Sequence, residues 1–189
     1  MKKIAIFASG SGSNAENIIQ YFRQTDEVEV VCVYTNKPTA YVLERAEKLN
    51  VPSKVFTKKE LTAEDGVVAD LKASGVDLVV LAGFLLLVPQ VLVHAFPNRI
   101  INIHPALLPA YGGKGMYGKF VHEAVIANKE PKSGITIHYV NEKYDDGAVI
   151  FQAACDVEEH DTPDSLAQKI HALEHQYFPE VIHNCIKEL

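Results

Sequence analysis

Ile4-Ala5-Ile6-Phe7-Ala8-Ser9-Gly10-Ser11-Gly12-Ser13-Asn14 decides the fold. An apolar run of this kind reads as a strand buried on both faces, as in a parallel sheet. A glycine–serine loop ends it, and Ile18, Ile19 and Phe22 then recur at helical spacing. Strand, loop and helix in this order aim free backbone N–H groups and the positive end of a helix at an anion. Through Ala15 the loop also fits the loose dinucleotide pattern G-x-G-x-x-G/A. A dinucleotide site wants a carboxylate at the end of the second strand for a ribose hydroxyl. That corner is Thr35-Asn36-Lys37. Hydroxyls and an amide crowd the loop instead, which favours a phosphate-monoester cradle over a dinucleotide turn or a plain tight turn.

Working outward, Val28–Tyr34, Val51–Phe56, Val76–Ala82, Ile100–Ile103 and Val149–Val157 read as further strands. Ile135–Val140 alternates apolar and polar residues, which predicts a half-exposed strand. Helical spacing marks Val42–Leu49 (ending at Asn50), Leu61–Ala73 (weakened by Gly66), Val91–Phe96 and Phe120–Asn128. Asp161-Thr162-Pro163 caps a long helix from Asp164. Alternating strands and helices predict an α/β fold, a doubly wound and mostly parallel sheet in a single domain over residues 1–189. Ligands of such sheets bind beyond the carboxyl ends of the strands. Ser9–Asn14, Gly83–Val88 and Asn102–Pro105 all stand at such ends and are expected to meet in one crevice.

Composition narrows the partners. Of 189 residues 48% are hydrophobic, enough for a core that needs no disulfide or metal. Lys and Arg number 18 against 24 Asp and Glu, a net charge of -6 that argues against nucleic acid and anionic membranes. Cys32, Cys155 and Cys185 are odd in number and widely spaced, as free thiols of a cytoplasmic protein are. No His-x-His, His-Glu-x-x-His or Cys-x-x-Cys occurs, so no metal is expected.

The chemistry concentrates in Asn102-Ile103-His104-Pro105. Asn102 and His104 lie two apart in an apolar strand and so share a face. Pro105 removes the next backbone donor and ends the ladder. Tyr144-Asp145-Asp146-Gly147 is either a plain hairpin turn or the source of a carboxylate for His104. Such a carboxylate raises an imidazole's pKa and favours its charged form. Glu174 and His175 make the last helix polar for a core face and are crevice candidates.

Ser9-Gly10-x-Gly12-Ser13-Asn14, Leu81-Ala82-Gly83-Phe84, Asn102-Ile103-His104-Pro105-x-Leu107-Leu108-Pro109 and Gly134-Ile-Thr-Ile-His138-Tyr-Val-x-Glu142-x-Tyr-Asp145-x-Gly147 resemble the folate-dependent formyltransferases in order along the whole chain. The serine–glycine loop points to their phosphoribosylglycinamide branch. The resemblance implies a Rossmann-like formyltransferase fold with a phosphate-binding N-terminal half and a folate-binding, catalytic C-terminal half. It implies transfer of formyl from 10-formyltetrahydrofolate, as co-substrate, to the amine of 5'-phosphoribosylglycinamide in purine (IMP) synthesis. Asn102, His104 and Asp145 would be catalytic, with Asp145 keeping His104 protonated. Gly12, Ser13, Asn14 and Glu174 would hold the ribonucleotide, and Leu85, Leu86, Leu87 and Val88, with Asn102, the folate. The protein would be a monomer or homodimer with small-molecule partners only. Where relatives place an arginine for an anionic ligand group, this chain offers Lys54, Lys58 and Lys59. Its Tyr111–Lys119 loop, with four glycines, departs from the usual spacing. Formyl hydrolysis would leave the phosphate loop idle, and tRNA formylation fits poorly with the negative charge. A regulatory nucleotide-binding module would use the loop but have no need of Asn102 or His104.

Overall fold

A computed structural model of the chain describes residues 1–189. In chain order it contains β1 (Lys2–Phe7), α1 (Ser13–Phe22), β2 (Val28–Thr35), α2 (Val42–Lys48), β3 (Ser53–Val55), α3 (Lys58–Thr62) and α4 (Val67–Ala73). There follow β4 (Leu78–Leu81), α5 (Gln90–Ala95), β5 (Ile100–His104), α6 (Lys119–Ala127), β6 (Lys132–Tyr139), β7 (Val149–Asp156) and α7 (Pro163–Lys187). The seven strands form one sheet in the order β3-β2-β1-β4-β5-β6-β7. Pairing is parallel from β3 to β5 and antiparallel at β5–β6 and β6–β7. The sheet is therefore mostly parallel, as the alternation of elements predicts.

Helices cover both faces because the central strands are apolar on both. Ile4, Ile6 and Ala8 of the first strand–loop unit pack with α1, α2, α6 and α7. Ala5 and Phe7, which point the other way, pack with α3, α4 and α5. The long last helix begins as expected, with a Thr162/Ser165 capping box and Pro163 in its first turn. Cys32 and Cys185 are buried and Cys155 is half-buried, all three unbridged.

Three expectations need correction. Leu61–Ala73 is two helices, since a Thr57/Glu60 capping box starts α3 early and Ala63 is already extended. The third strand shrinks to Ser53–Val55 at the edge of the sheet, where it has one neighbour. Ile135–Val140 is not half-exposed: Ser133–His138 are all buried. Its apolar residues Ile135 and Ile137 enter the core. Its polar ones are covered by the segments after β5 and β6. Thr136 Oγ1 donates to the Ala106 carbonyl and accepts from the Leu108 N–H. His138 is shut in beside Asn102 and Asp145. The half-exposed pattern belongs to β7, whose residues alternate between partly buried and exposed.

Candidate active site

The loop after β1 is tied from three sides. Ser9 Oγ donates to Asn36 Oδ1 at 2.6 Å and accepts the Leu85 N–H at 3.1 Å, while its own N–H reaches the Gly83 carbonyl. The corner tested for a carboxylate thus holds an amide that braces the loop. The Val42 N–H bonds the Gly10 carbonyl, and Arg45 bonds the Ser11 carbonyl and pairs with Glu16. Gly12 sits at φ 74°, and a Cβ there would overlap the Val42 side chain. As the residue before α1 it supplies no side-chain cap, so the first-turn N–H groups remain available to a ligand.

A cleft of about 700 Å³ opens beyond the strand ends and brings most of the predicted residues together. Gly12, Ser13 and Asn14 line one part, Asn102, His104 and Asp145 another, and Glu174 and Leu85 also face it. Leu86, Leu87 and Val88 do not. They line a separate slot of about 50 Å³ that shares Phe84, Asn102, Tyr144 and Asp145 with the cleft.

The polar wall is assembled by antiparallel pairing, which sets Asn102 of β5 opposite His138 of β6. His138 Nδ1 is 2.8 Å from the Tyr139 carbonyl, which can only accept, so this nitrogen carries the hydrogen. In the neutral ring Nε2 then accepts from Asn102 Nδ2 at 3.1 Å. One N–H of the Asn102 amide is left for the cleft. The same logic applies to His104, whose Nε2–H donates to the Tyr111 carbonyl at 2.7 Å. Its Nδ1 faces Asp145 Oδ2 at 3.6 Å, and His138 Nε2 lies 3.7 Å from Asp145 Oδ1.

The β6–β7 turn delivers this carboxylate. Asp145 adopts φ 52°, and a Cβ at Gly147 would overlap the Tyr139 carbonyl. The Tyr139 N–H and Ala148 carbonyl close the hairpin, so the turn is both a plain hairpin turn and the source of an acid. Asp146 points outward to Asn141 and Lys143. Burial pushes the Asp145 pKa up, but His138, His104 and the Gly113 N–H outweigh it and hold the carboxyl below its ordinary value.

For His104 the balance goes the other way and overturns an expectation. Burial, at 4% exposure, lowers the pKa of the ring more than Asp145 and the Tyr111 carbonyl raise it. The unliganded ring is neutral near pH 7. Asp145 opposes the effect of burial on His104 without overcoming it.

Glu174 is 5% exposed. Its Oε2 accepts from Asn14 Nδ2 at 2.9 Å and lies 3.0 Å from His171 Nδ1. The Glu174 carboxylate raises the pKa of His171 against the opposing effect of burial. His175 is absent from the cleft wall and gives α1 its backbone carbonyl, through Asn17. None of Lys54, Lys58 and Lys59 lines the cleft, and Lys54 is paired with Asp70 at 2.6 Å. The lysines that do are Lys114 and Lys119, from the glycine-rich stretch. Sequence reasoning also missed His122, a buried cleft residue of α6. Its signal was weak: one histidine amid apolar residues, just past that stretch.

A family model described as formyl transferase matches residues 2–182. The phosphoribosylglycinamide formyltransferase of Bacillus subtilis is 39% identical over 187 residues, which cover 96% of this chain and 93% of that protein. The chloroplastic phosphoribosylglycinamide formyltransferase of Arabidopsis thaliana is 45% identical over 96% of this chain, which spans 64% of the plant protein. Among solved structures, glycinamide ribonucleotide transformylase 1 from Symbiobacterium toebii superposes with a TM-score of 0.90 at 35% identity, covering 100% of this chain and 89% of its own. Phosphoribosylglycinamide formyltransferase from Bacillus halodurans gives 0.87 at 41% identity, covering 97% and 94%. With the matched family model spanning nearly all of the sheet and helices, the chain belongs to the formyl transferase family, in its group of phosphoribosylglycinamide formyltransferases.

Proposed function

We propose that the chain transfers the formyl group of 10-formyltetrahydrofolate to the amine of 5'-phosphoribosylglycinamide, a step of purine synthesis. One observation carries this reading: an anion-type loop and the Asn102, His104 and Asp145 group share a single cleft. Gly12, Ser13 and Asn14 take the phosphate, Glu174 the sugar, and Leu85 to Val88 with Asn102 the pterin. The slot behind Asn102 is far smaller than the ~300 Å³ at which ligand pockets begin, so folate binding widens it.

In this mechanism the amine attacks the formyl carbon and forms the new C–N bond. Charge develops on the formyl oxygen, where the second N–H of Asn102 stabilises it by about 3–4 kcal/mol. Neutral His104 takes the amine's proton at Nδ1, and Asp145 stabilises the resulting imidazolium. The proton then passes to the folate nitrogen as its bond to the formyl carbon breaks. Neither a metal nor a covalent enzyme intermediate enters these steps.

The test mixes purified protein with 10-formyltetrahydrofolate, with and without the ribonucleotide, and follows the folate absorbance. Turnover that needs both substrates is the expected result. Turnover with folate alone would make the protein a hydrolase, and none in either mixture would end the enzymatic reading.

A further inference from the structure

Arg45 of α2 is absent from the cleft wall, yet its side chain is committed to the loop that forms that wall. Its Nε–H donates to the Ser11 carbonyl at 2.8 Å, and a terminal nitrogen pairs with Glu16, the acid in the first turn of α1. The guanidinium carbon lies over the Tyr41 ring, 5.0 Å from its centroid. A planar fork meets these three demands at once, which an ammonium on a flexible stem does not.

These contacts set the direction of the loop's far side. In a trans peptide the N–H points opposite to the C=O. The Val42 N–H takes the Gly10 carbonyl at 3.2 Å and Arg45 takes the Ser11 carbonyl, so both carbonyls turn toward α2. The Ser11 and Gly12 N–H groups of the same two peptides turn away from α2, and neither has a partner in the protein. Gly10 to Asn14 line the cleft, so that side is the ligand's. With the uncapped first turn of α1 they give successive N–H groups facing one way, an arrangement that binds anions. Without its hold the Ser11 peptide is free to rotate, and its carbonyl would then present negative charge to the same anion.

We propose that Arg45 is a positioning residue for phosphate recognition, which holds the Ser11 carbonyl and so keeps the Gly12 N–H aimed at the phosphate of the ribonucleotide. This rests on the function proposed above and adds to it a residue that touches no substrate. Calorimetry on the whole protein tests it without turnover, giving the Kd for 5'-phosphoribosylglycinamide and, by competition, that for inorganic phosphate. Arg45→Met, which keeps the length of the side chain but no donor, is expected to raise both constants about tenfold, the worth of one charge-assisted hydrogen bond. The kcat at saturating substrates and the KM for 10-formyltetrahydrofolate should stay within about twofold of wild type. Arg45→Lys, which keeps the charge, should weaken binding by less, and it carries the test if the Met variant does not fold. Glu16→Gln separates aim from charge: alone it should bind the ribonucleotide within about twofold of wild type, and combined with Arg45→Met it should bind as weakly as Arg45→Met alone. Wild-type constants in the Met variant would overturn the proposal. Recovery in the double variant would overturn it as well, since Arg45 would then only neutralise Glu16. So would a matching fall in kcat or rise in the folate KM, because the whole site would then have loosened. A wild-type protein that binds neither the ribonucleotide nor phosphate would instead remove the underlying function.

Discussion

The Ser9–Asn14 loop is held by hydrogen bonds, one of them from the Arg45 guanidinium, and by steric fit, whereas the facing wall of Asn102, His104 and Asp145 is held among buried ionisable groups. On the loop side Ser9, Arg45 and the Val42 N–H fix the backbone, and Gly12 leaves no room for a side chain. On the other side His104 and His138 flank one carboxylate at 3.6 and 3.7 Å. A loop that binds through its backbone depends on shape. A wall that moves protons, as proposed above, depends on charge, and burial makes His104 harder to protonate.

Three experiments separate the two sides. The largest effect is expected from His104→Ala, which removes the proposed proton carrier, worth about 10²- to 10⁴-fold in turnover. Ribonucleotide binding should stay within about twofold of wild type, because the loop does not touch this ring. Loss of binding as well would show that the two sides are one unit. Next, Gly12→Ala places a Cβ on Val42 at a left-handed φ and should destabilise the fold by about 2–4 kcal/mol, with ribonucleotide affinity lost. A denaturant midpoint equal to wild type would mean that the loop yields easily.

The smallest effect is a pH slope. Burial holds His104 below its ordinary value near 6.5, so the unfolded chain binds a proton that the native ring refuses. Stability therefore falls as pH drops below about 6.5, until the native ring itself takes up the proton. His122, also lowered by burial, has the same sign. Asp145 adds to it only below its ordinary 3.8. His171, raised by Glu174, has the opposite sign and is stabilising at low pH. His104→Gln should flatten the decline below pH 6.5, read from thermal midpoints. An unchanged slope would assign the decline to other histidines.

What could be read from the sequence follows from what is local. The apolar run Ile4–Ala8 and the glycine loop after it specify a buried strand and its turn by themselves, and the strand-end rule gathers three segments into one cleft. Asn102 and His104 were legible because two polar residues in an apolar strand demand a reason. The early start of α3 was legible in principle, since Thr57 and Glu60 form a capping box. The charge of His104 was not, because it depends on how much burial opposes Asp145. Nor was the burial of Thr136 and His138, whose covers lie up to 36 residues away in the chain. Lys54 looked free until β3 laid it against Asp70 of α4.

Tyr111 joins two ends of this arrangement. Its carbonyl holds the His104 N–H, and its hydroxyl donates to Glu130 and accepts from Asn128 at the far end of α6. The imidazole is thereby a gauge of the segment that covers it. While Tyr111 stays down, the Nε2 proton is shielded and exchanges slowly with solvent, giving a distinct low-field nuclear magnetic resonance. Opening of that hydrogen bond is expected to broaden the signal, so a single proton tests whether the glycine-rich stretch stays down, without any label attached to it.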